Sequence, residues 1–304
     1  MRLLVTGARG FIGAGVVRAA HSQGHEVIAA DHSDQGRDLP KEVEAIQGDI
    51  TRPDEWQSGF EGVDAVVHCA AIHRPEEIAE GTVRAIEVNL RGTRLMLQAA
   101  ADAGVKRFVH LSSAKAYGEP LGFPSREDHL ANPVESYGLA KVVTEDYCRH
   151  FTAHTAMRCL SLRPFSVYGP GQDLSTGYIG QLLEAWTAGT PVALSGDADF
   201  VRDFVHIDDV VDICLASALH DQPFDIVNVG SGSPTTLSAL VELFAHLSGA
   251  ALDVSFKPAR RGTIERTLAD LTRQAAILNR DPIPLTVGLQ ETMDAHRLCT
   301  VRGA

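Results

Sequence analysis

The stretch TGARGFIG, residues 6–13, lies between a short apolar run at 3–5 and a helical pattern near 11–23. Its three glycines, Gly7, Gly10 and Gly13, are spaced three residues apart. A helix that starts directly after a strand offers unpaired backbone N–H groups and the positive end of its dipole, and glycines allow a pyrophosphate to approach them closely. We therefore predict that this turn, with Phe11 and Ile12, binds the pyrophosphate of a dinucleotide cofactor.

The second strand-like run, HEVIAAD, ends on Asp31. An acidic residue at this distance from the glycine turn is suited to bind the ribose diol of an adenosine. Its carboxylate would repel a 2′-phosphate, so the sequence favours NAD over NADP. Arg9, inside the glycine turn, and Arg37 are the residues that could instead hold a 2′-phosphate, and NADP is the less favoured alternative.

The pattern of strands and helices changes near residue 168. Up to that point strand-like runs alternate with amphipathic helical stretches, which predicts an α/β fold with a doubly wound parallel sheet covered by helices on both faces. The strand-like runs are 2–6, 26–30, 64–69, 107–112 and 159–163, and the helical stretches are 11–23, 85–103 and 137–153. We predict a dinucleotide-binding domain over 1–168 and a smaller mixed α/β C-terminal lobe, mainly for substrate, over 169–304. The two are interleaved, because segments near 201–230 return to the first domain.

Composition narrows the classes of partner. The chain has 304 residues, 44% of them hydrophobic, with 27 Lys and Arg against 39 Asp and Glu. The net charge of −12 argues against nucleic acid or an anionic membrane as the main partner. No stretch approaches the about 20 apolar residues that span a bilayer, and the start does not resemble a signal peptide, so we expect a cytoplasmic protein. No His, Cys, Asp and Glu cluster has metal-site spacing, and no metal is expected.

Candidate chemistry is concentrated in two segments. In SYGLAK (136–141), Tyr137 and Lys141 are four residues apart and share one helix face. An ammonium beside a phenol favours phenolate, which would lower the phenol's pKa and make Tyr137 a base for a substrate hydroxyl. Ser112 and Ser113 follow the strand-like run 107–111, at the carboxyl end where ligands bind in doubly wound sheets.

These segments resemble the extended short-chain dehydrogenases/reductases, in particular the nucleotide-sugar epimerase/dehydratase group, of which UDP-glucose 4-epimerase is typical. The resemblance extends over nearly the whole chain and implies a Rossmann-like fold. It rests further on GDI (48–50), VVHCAA (66–71), NLRGT (89–93), LRPFSVYGPGQ (162–172), VRDFVHIDDV (201–210), NVGSG (228–232) and RRGTIERTLAD (260–270).

The resemblance implies a role for each matching residue. Ser113 would hydrogen-bond the sugar hydroxyl, Tyr137 would be the base, and Lys141 would hold the nicotinamide ribose. Tightly bound NAD would also contact Asp49, Ile50, Ala70, Ala71 and Pro164, while Arg202 and Arg260 would bind the diphosphate of a nucleotide sugar. Ser166 stands where the group commonly has an Asn that contacts this diphosphate, and it is a further candidate to bind the substrate. The group further implies a homodimer, joined by helices that begin near Val88 and Tyr137.

Two positions after Ser113 depart from the group. Its 4,6-dehydratases carry an Asp-Glu pair there, whereas this chain has Ala114 and Lys115. Dehydration by that route is therefore not expected. We hypothesise that Lys115 contacts the sugar, either as an acid/base group or as a cation for a uronic acid; the alternative is a lysine that extends into solvent.

The favoured function is that of an isomerase, an NAD-dependent 4-epimerase of a UDP-sugar or UDP-uronic acid with a transient 4-keto intermediate. The alternatives are an NAD(P)H-dependent 4-keto-sugar reductase and a nucleotide-uronic acid decarboxylase. A non-catalytic cofactor-sensing protein is a further reading, which the intact Ser113, Tyr137 and Lys141 disfavour.

Overall fold

The computed structural model describes residues 1–74, 82–259 and 263–302, and its centre is a sheet of seven parallel strands. The strand order is β10-β6-β5-β4-β1-β2-β3. The strands are β1 (Arg2–Thr6), β2 (Glu26–Asp31), β3 (Glu44–Gln47), β4 (Ala65–His68), β5 (Arg107–Leu111), β6 (Arg158–Pro164) and β10 (Ile226–Val229). The order reverses between β1 and β4, and in such sheets ligands bind in the crevice at that point.

Helices cover both faces of this sheet. On the main sheet these are α1 (Phe11–Ser22), α2, α3 (Ser136–His154), α5 (Ile207–Leu219) and α7 (Thr272–Ile277), whereas α4 (Gly177–Ala188), α6 (Leu237–Ser248) and α8 (Leu285–Arg302) pack in the region of two smaller sheets. Helix α2 is α-helical over Thr82–Ile86, π-helical over Glu87–Gly92 and α-helical again over Thr93–Asp102. Along β1, Leu3 and Val5 join the core beneath α1 and α5, whereas Leu4 joins the core beneath α2 and α3. Both faces are therefore buried, as a continuous apolar strand requires.

Two smaller sheets lie outside the main one. The first has the order β11-β9-β7, with β7 (Ser166–Tyr168), β9 (Val201–His206) and β11 (Pro234–Thr236); the second pairs β8 (Val192–Ser195) with β12 (Val254–Lys257). An apolar core that includes Phe204, Leu240 and Phe244 fills this region.

The predicted Rossmann-like parallel sheet is confirmed. Three elements lie in the segment at 201–230. Strand β10 pairs with β6 of the main sheet and α5 packs against α1, whereas β9 belongs to the first of the small sheets. The boundary at 168 between two functional lobes stays a prediction. None of the described helices is both long and apolar enough to cross a lipid bilayer.

Candidate active site

The glycine turn is built for close backbone contact. Gly7 has a φ of +63°, in the left-handed region, and a Cβ at this position would lie 2.8 Å from the backbone nitrogen of Ala70. A Cβ on Gly13 would clash with the carbonyl oxygen of Gly7. Gly10 precedes the first turn of α1, where no side chain of the described residues caps the helix. The first turn of α1, uncapped by a side chain, and the lack of a side chain at Gly7, Gly10 and Gly13 fit a pyrophosphate, so the turn fits a dinucleotide.

Asp31 ends β2 beside this turn. Its Oδ2 accepts the backbone N–H of Arg9 at 2.8 Å, and its side chain is only 12% exposed. The Arg9 guanidinium donates to the carbonyl of Arg37 at 3.1 Å, and the Arg37 guanidinium donates to the carbonyl of Gly171. Both arginines are thus engaged with protein carbonyls, while a carboxylate stands at the ribose end of the turn. This arrangement favours a free ribose diol over a 2′-phosphate.

The segment after β3 carries the residues expected beside the adenine. Thr51 and Arg84 hydrogen-bond the Asp49 carboxylate, with the Arg84 guanidinium 2.6 Å from Oδ2. Partial burial raises the pKa of Asp49, but these hydrogen bonds outweigh it and lower the pKa to about 2. Ile50 is buried. The adenine contacts of both residues stay predictions, and Arg84 belongs to no sequence motif that indicated its role.

The groove wall after β4 is fixed by α2. Ala70 and Ala71 are half-buried, and Ala70 N–H reaches the Thr6 hydroxyl at 3.3 Å. Asn89, in the π-helical turn of α2, accepts the N–H of Ile72 and donates to its carbonyl, both at 2.8 Å. Asn89 therefore holds the chain that lines the groove. The NLRGT motif contained this residue, but its partner could not be read from the sequence.

Ser113, Tyr137 and Lys141 come together at the carboxyl end of β5. Ser113 follows the strand, and its Oγ accepts the Lys115 N–H at 3.2 Å. Tyr137 lies in the first turn of α3, and Lys141 lies one turn later with Nζ 5.5 Å from the centre of the Tyr137 ring. The buried Lys141 ammonium also donates to the Leu111 carbonyl at 2.6 Å.

The acid–base state of Tyr137 differs from the sequence expectation. Burial, reinforced by the nearby Glu135 carboxylate, raises the pKa of the Tyr137 phenol above its ordinary value. Burial also lowers the pKa of Lys141 to about 8. The prediction that Lys141 lowers the phenol's pKa is wrong for the protein without ligands, because loss of water around the phenol dominates over an ammonium 5.5 Å from the ring centre.

A buried ion pair lies beneath this set. Arg163 Nε and Nη2 donate to the two carboxylate oxygens of Glu145 at 2.8 and 2.6 Å, and Ser112 Oγ donates to Glu145 Oε1 at 2.5 Å. The Arg163 guanidinium also stacks on Tyr117, 4.4 Å from the ring centre. Glu145 is one helical turn beyond Lys141, so the pair ties α3 to β6. No sequence motif indicated this pair.

The expected diphosphate ligands are distributed over the small sheet. Ser166 is half-buried at the start of β7, and Pro164 is buried at the end of β6. Arg202 in β9 donates to the carbonyls of Val201, Ile264 and Glu265 and to the Tyr178 hydroxyl. Its terminal nitrogens thus hold the segment at 264–265, and a phosphate contact stays a prediction. Arg260 lies outside the described residues.

Charged loops border the groove. The Arg74 guanidinium pairs with Asp173, which links the segment after β4 to the segment after β7.

Across the described ranges, no three His, Cys, Asp or Glu side chains are grouped so that they could hold a metal ion.

The sheet order, the glycine turn and the Ser113, Tyr137 and Lys141 set define a short-chain dehydrogenase/reductase of the extended type. A model of the NAD dependent epimerase/dehydratase family matches residues 3–230. The chain belongs to this family.

Individual relatives are similar over nearly their full length. A UDP-glucose 4-epimerase of Mycolicibacterium smegmatis is 31% identical over 98% of this chain and 99% of its own. The crystal structure of a Thermus thermophilus UDP-glucose 4-epimerase in complex with NAD is 30% identical, with a TM-score of 0.90 over 98% of this chain and 99% of its own. A Streptomyces dTDP-4-dehydro-6-deoxy-D-allose reductase is 28% identical over 97% of this chain and 96% of its own.

Proposed function

We propose that this protein is an NAD-dependent isomerase that epimerises C4 of a nucleotide sugar, with UDP as the nucleotide, through a transient 4-keto sugar. The observation that carries the proposal is the placement of Ser113, Tyr137 and Lys141 at the carboxyl end of β5, in the same sheet whose β1 leads into the glycine turn. The similarity to UDP-glucose 4-epimerases supports the choice of reaction.

NAD would be held by the glycine turn at its pyrophosphate and by Asp31 at its adenosine ribose. The chemistry that it supplies when bound is reversible acceptance of a hydride, together with the positive charge of the oxidised nicotinamide. The engagement of Arg9 and Arg37 with backbone carbonyls supports NAD over NADP.

The protein's own residues would move the proton of the sugar hydroxyl. Ser113 Oγ already accepts an N–H, so its own hydrogen is available to donate to the reacting oxygen. Tyr137 would take the proton of the 4-hydroxyl and return it after the keto sugar has presented its other face. The Lys141 ammonium, 5.5 Å from the ring centre, would stabilise the phenolate formed when the phenol has lost its own proton.

The second candidate is a 4-keto-sugar reductase, which the similarity to the Streptomyces reductase favours. It would use the same three residues but requires NAD(P)H that exchanges in every turnover. Decarboxylation of a nucleotide uronic acid is a third use of the same set. A cofactor sensor without activity would not need Tyr137 and Lys141 in this arrangement.

We also propose a homodimer in which α2 and α3 pack against the partner's copies. Val83 and Ile86 of α2 and Leu139 of α3 are exposed apolar side chains, which supports this face as the contact. Sedimentation of the purified protein tests the dimer. A cytoplasmic location stays a prediction from the sequence.

The reaction is tested on protein purified without added cofactor. Denaturation releases the bound nucleotide for identification, and the intact protein is then incubated with UDP-, dTDP-, GDP- and CDP-sugars and UDP-uronic acids. We expect NAD(H), and conversion of a UDP-sugar to an isomer of equal mass without added reductant.

Removal of the phenol separates catalysis from binding. Tyr137→Phe should reduce kcat by about 10²–10⁴-fold, the usual contribution of a positioned acid or base. Tyr147→Phe, the same change on the same helix, is the matched control.

The wild-type protein also tests the reductase. Purified protein that contains no bound cofactor, and that acts only on a 4-keto sugar while it consumes added NADPH, would establish the reductase instead.

A further inference from the structure

Lys115 and Glu135 form an ion pair beside Tyr137 to which the reaction above assigns no role. We propose that this pair determines sugar specificity: it binds a hydroxyl of a neutral sugar next to the reacting carbon and disfavours a sugar carboxylate. The inference rests on the proposed function, since it places the sugar against Tyr137.

The pair is positioned at the phenol. Lys115 Nζ lies 2.5 Å from Glu135 Oε1 and 5.8 Å from the centre of the Tyr137 ring. Both side chains are partly open to solvent, with 43% of Lys115 and 39% of Glu135 exposed. Lys141, the second ammonium near the ring, is buried and bound to the Leu111 carbonyl. Of these two cations, therefore, Lys115 is the one that an incoming sugar can reach.

The backbone that carries the pair is held in place. Lys115 follows Ser113 in a short 3₁₀ turn over Ala114–Ala116, and Glu135 directly precedes α3. A Cβ on Gly138 would lie 2.5 Å from the Lys115 carbonyl oxygen, so the first turn of α3 packs directly on the 3₁₀ turn. Ser113, Tyr137 and the ion pair thus share one rigid junction.

Hydrogen-bonding capacity decides what the pair can bind. The oxygen of a base must lie within about 2.6–3.2 Å of the oxygen whose proton it removes, so a sugar bound to Tyr137 has its neighbouring substituents near Lys115 and Glu135. A hydroxyl donates and accepts, and can therefore bind the carboxylate and the ammonium while the pair stays intact.

A uronic acid carboxylate lacks this complementarity. It only accepts hydrogen bonds, so it would compete with Glu135 for one ammonium and bring two carboxylates together. The ion pair therefore favours a neutral hexose. This choice revises the sequence-based hypothesis that Lys115 serves as a cation for a uronic acid.

The experiment compares kcat/KM for UDP-glucose and UDP-glucuronic acid. The proteins are the NAD-loaded wild type, Glu135→Gln, Lys115→Met and the control Glu26→Gln, which makes the same change in an exposed ion pair with Arg2 at the opposite end of the sheet. NAD content and thermal unfolding verify that each variant is folded.

We expect the wild type to prefer UDP-glucose by at least tenfold. Glu135→Gln frees the ammonium and should shift the ratio toward UDP-glucuronic acid by about tenfold, and Lys115→Met should lower kcat/KM for UDP-glucose by about tenfold. Glu26→Gln should change neither value. A wild-type preference for the uronic acid, or a ratio in Glu135→Gln within twofold of the wild type, overturns the proposal.

Binding distinguishes this inference from the proposed function. If UDP-glucose is converted but the variants behave as the wild type, only the inference fails. If neither sugar is converted, the sugar panel above decides the epimerase proposal, and the ratio of the two dissociation constants, measured by calorimetry on the NAD-loaded proteins, tests the pair by the same tenfold criterion. If neither sugar binds, the inference fails, whatever the panel shows for the epimerase proposal.

Discussion

Removing the negative charge of Glu145 tests how α3 is held in place. In Glu145→Gln, the Arg163 guanidinium keeps its place but loses a counter-ion at 2.6–2.8 Å, in a region where Arg163 is 3% and Glu145 1% exposed. Burial alone would lower the pKa of Arg163, but the Glu145 carboxylate outweighs it and raises that pKa above its ordinary value. Even without Glu145, the guanidinium has no neutral form available near pH 7. The variant must therefore bury an uncompensated charge.

The expected loss follows from this geometry. Breaking a buried ion pair by removing one partner costs about 3–5 kcal/mol, whereas an exposed pair contributes about 0–1 kcal/mol. Asp146→Asn is the matched control, because Asp146 is the next residue on α3, pairs with Arg149 and is 64% exposed.

The assay is reversible unfolding in guanidinium chloride, followed by circular dichroism on protein freed of cofactor. Glu145→Gln should lower the free energy of unfolding by about 3–5 kcal/mol at an unchanged m value, and Asp146→Asn by less than about 1 kcal/mol. Replacing both partners, as Glu145→Leu with Arg163→Met, should recover much of the loss, since no charge is then buried. Equal stability of Glu145→Gln and Asp146→Asn would refute the reasoning.

Three further predictions concern the cofactor turn and the buried histidine. Gly13→Ala should abolish co-purification of NAD, because its Cβ would clash with the Gly7 carbonyl; retention of NAD at the wild-type level would contradict this. Arg37→Met should speed NAD release by about tenfold in stopped-flow displacement, because it removes a charge-assisted hydrogen bond to Gly171, commonly about 1.5–3 kcal/mol; an unchanged rate would contradict it. Burial, with a smaller effect of the Lys141 charge, lowers the pKa of His68 to about 3. The unfolded chain therefore binds a proton first as the pH falls below about 6.5, and by pH 5 His68 should reduce the stability by about 2 kcal/mol, a loss absent from His68→Asn.

The sequence was sufficient for the parallel sheet because each central strand is a continuous apolar run. The five predicted strands end within one residue of β1, β2, β4, β5 and β6. Strand β3 was missed: its residues, Glu44 to Gln47, are mostly exposed at the edge of the sheet and carry no apolar run. The π-helical turn in α2 was also missed, because Glu87–Gly92 lies inside one helical stretch and no residue type there distinguishes i→i+5 from i→i+4 hydrogen bonding.

The site residues divide into those that local spacing in the sequence reveals and those that only tertiary packing brings together. Tyr137 and Lys141 were found because their spacing is local to one helix. Glu145 and Arg163 are 18 residues apart on different elements, and their pairing depends on how α3 packs on β6. Lys115 and Glu135 also meet through a tertiary contact. Such pairs cannot be derived from periodicity, and they are the contacts that set the charge around the phenol.

Tertiary contacts between distant segments also bear on the choice between an epimerase and a reductase. Both would use Ser113, Tyr137 and Lys141, so the catalytic set cannot separate them; what differs is whether the cofactor must leave after each turnover. The contact of Arg37 with Gly171 joins the segment after β2 to the segment after β7, and the pair of Arg74 with Asp173 joins the latter to the segment after β4. Segments that follow β2 and β4 border the groove where the dinucleotide would lie, so these contacts oppose its release. They are of use to an enzyme that retains its cofactor and a hindrance to one that exchanges it. If Arg37→Met released NAD faster and only then became dependent on added NAD for epimerisation, these contacts would be what retains the cofactor.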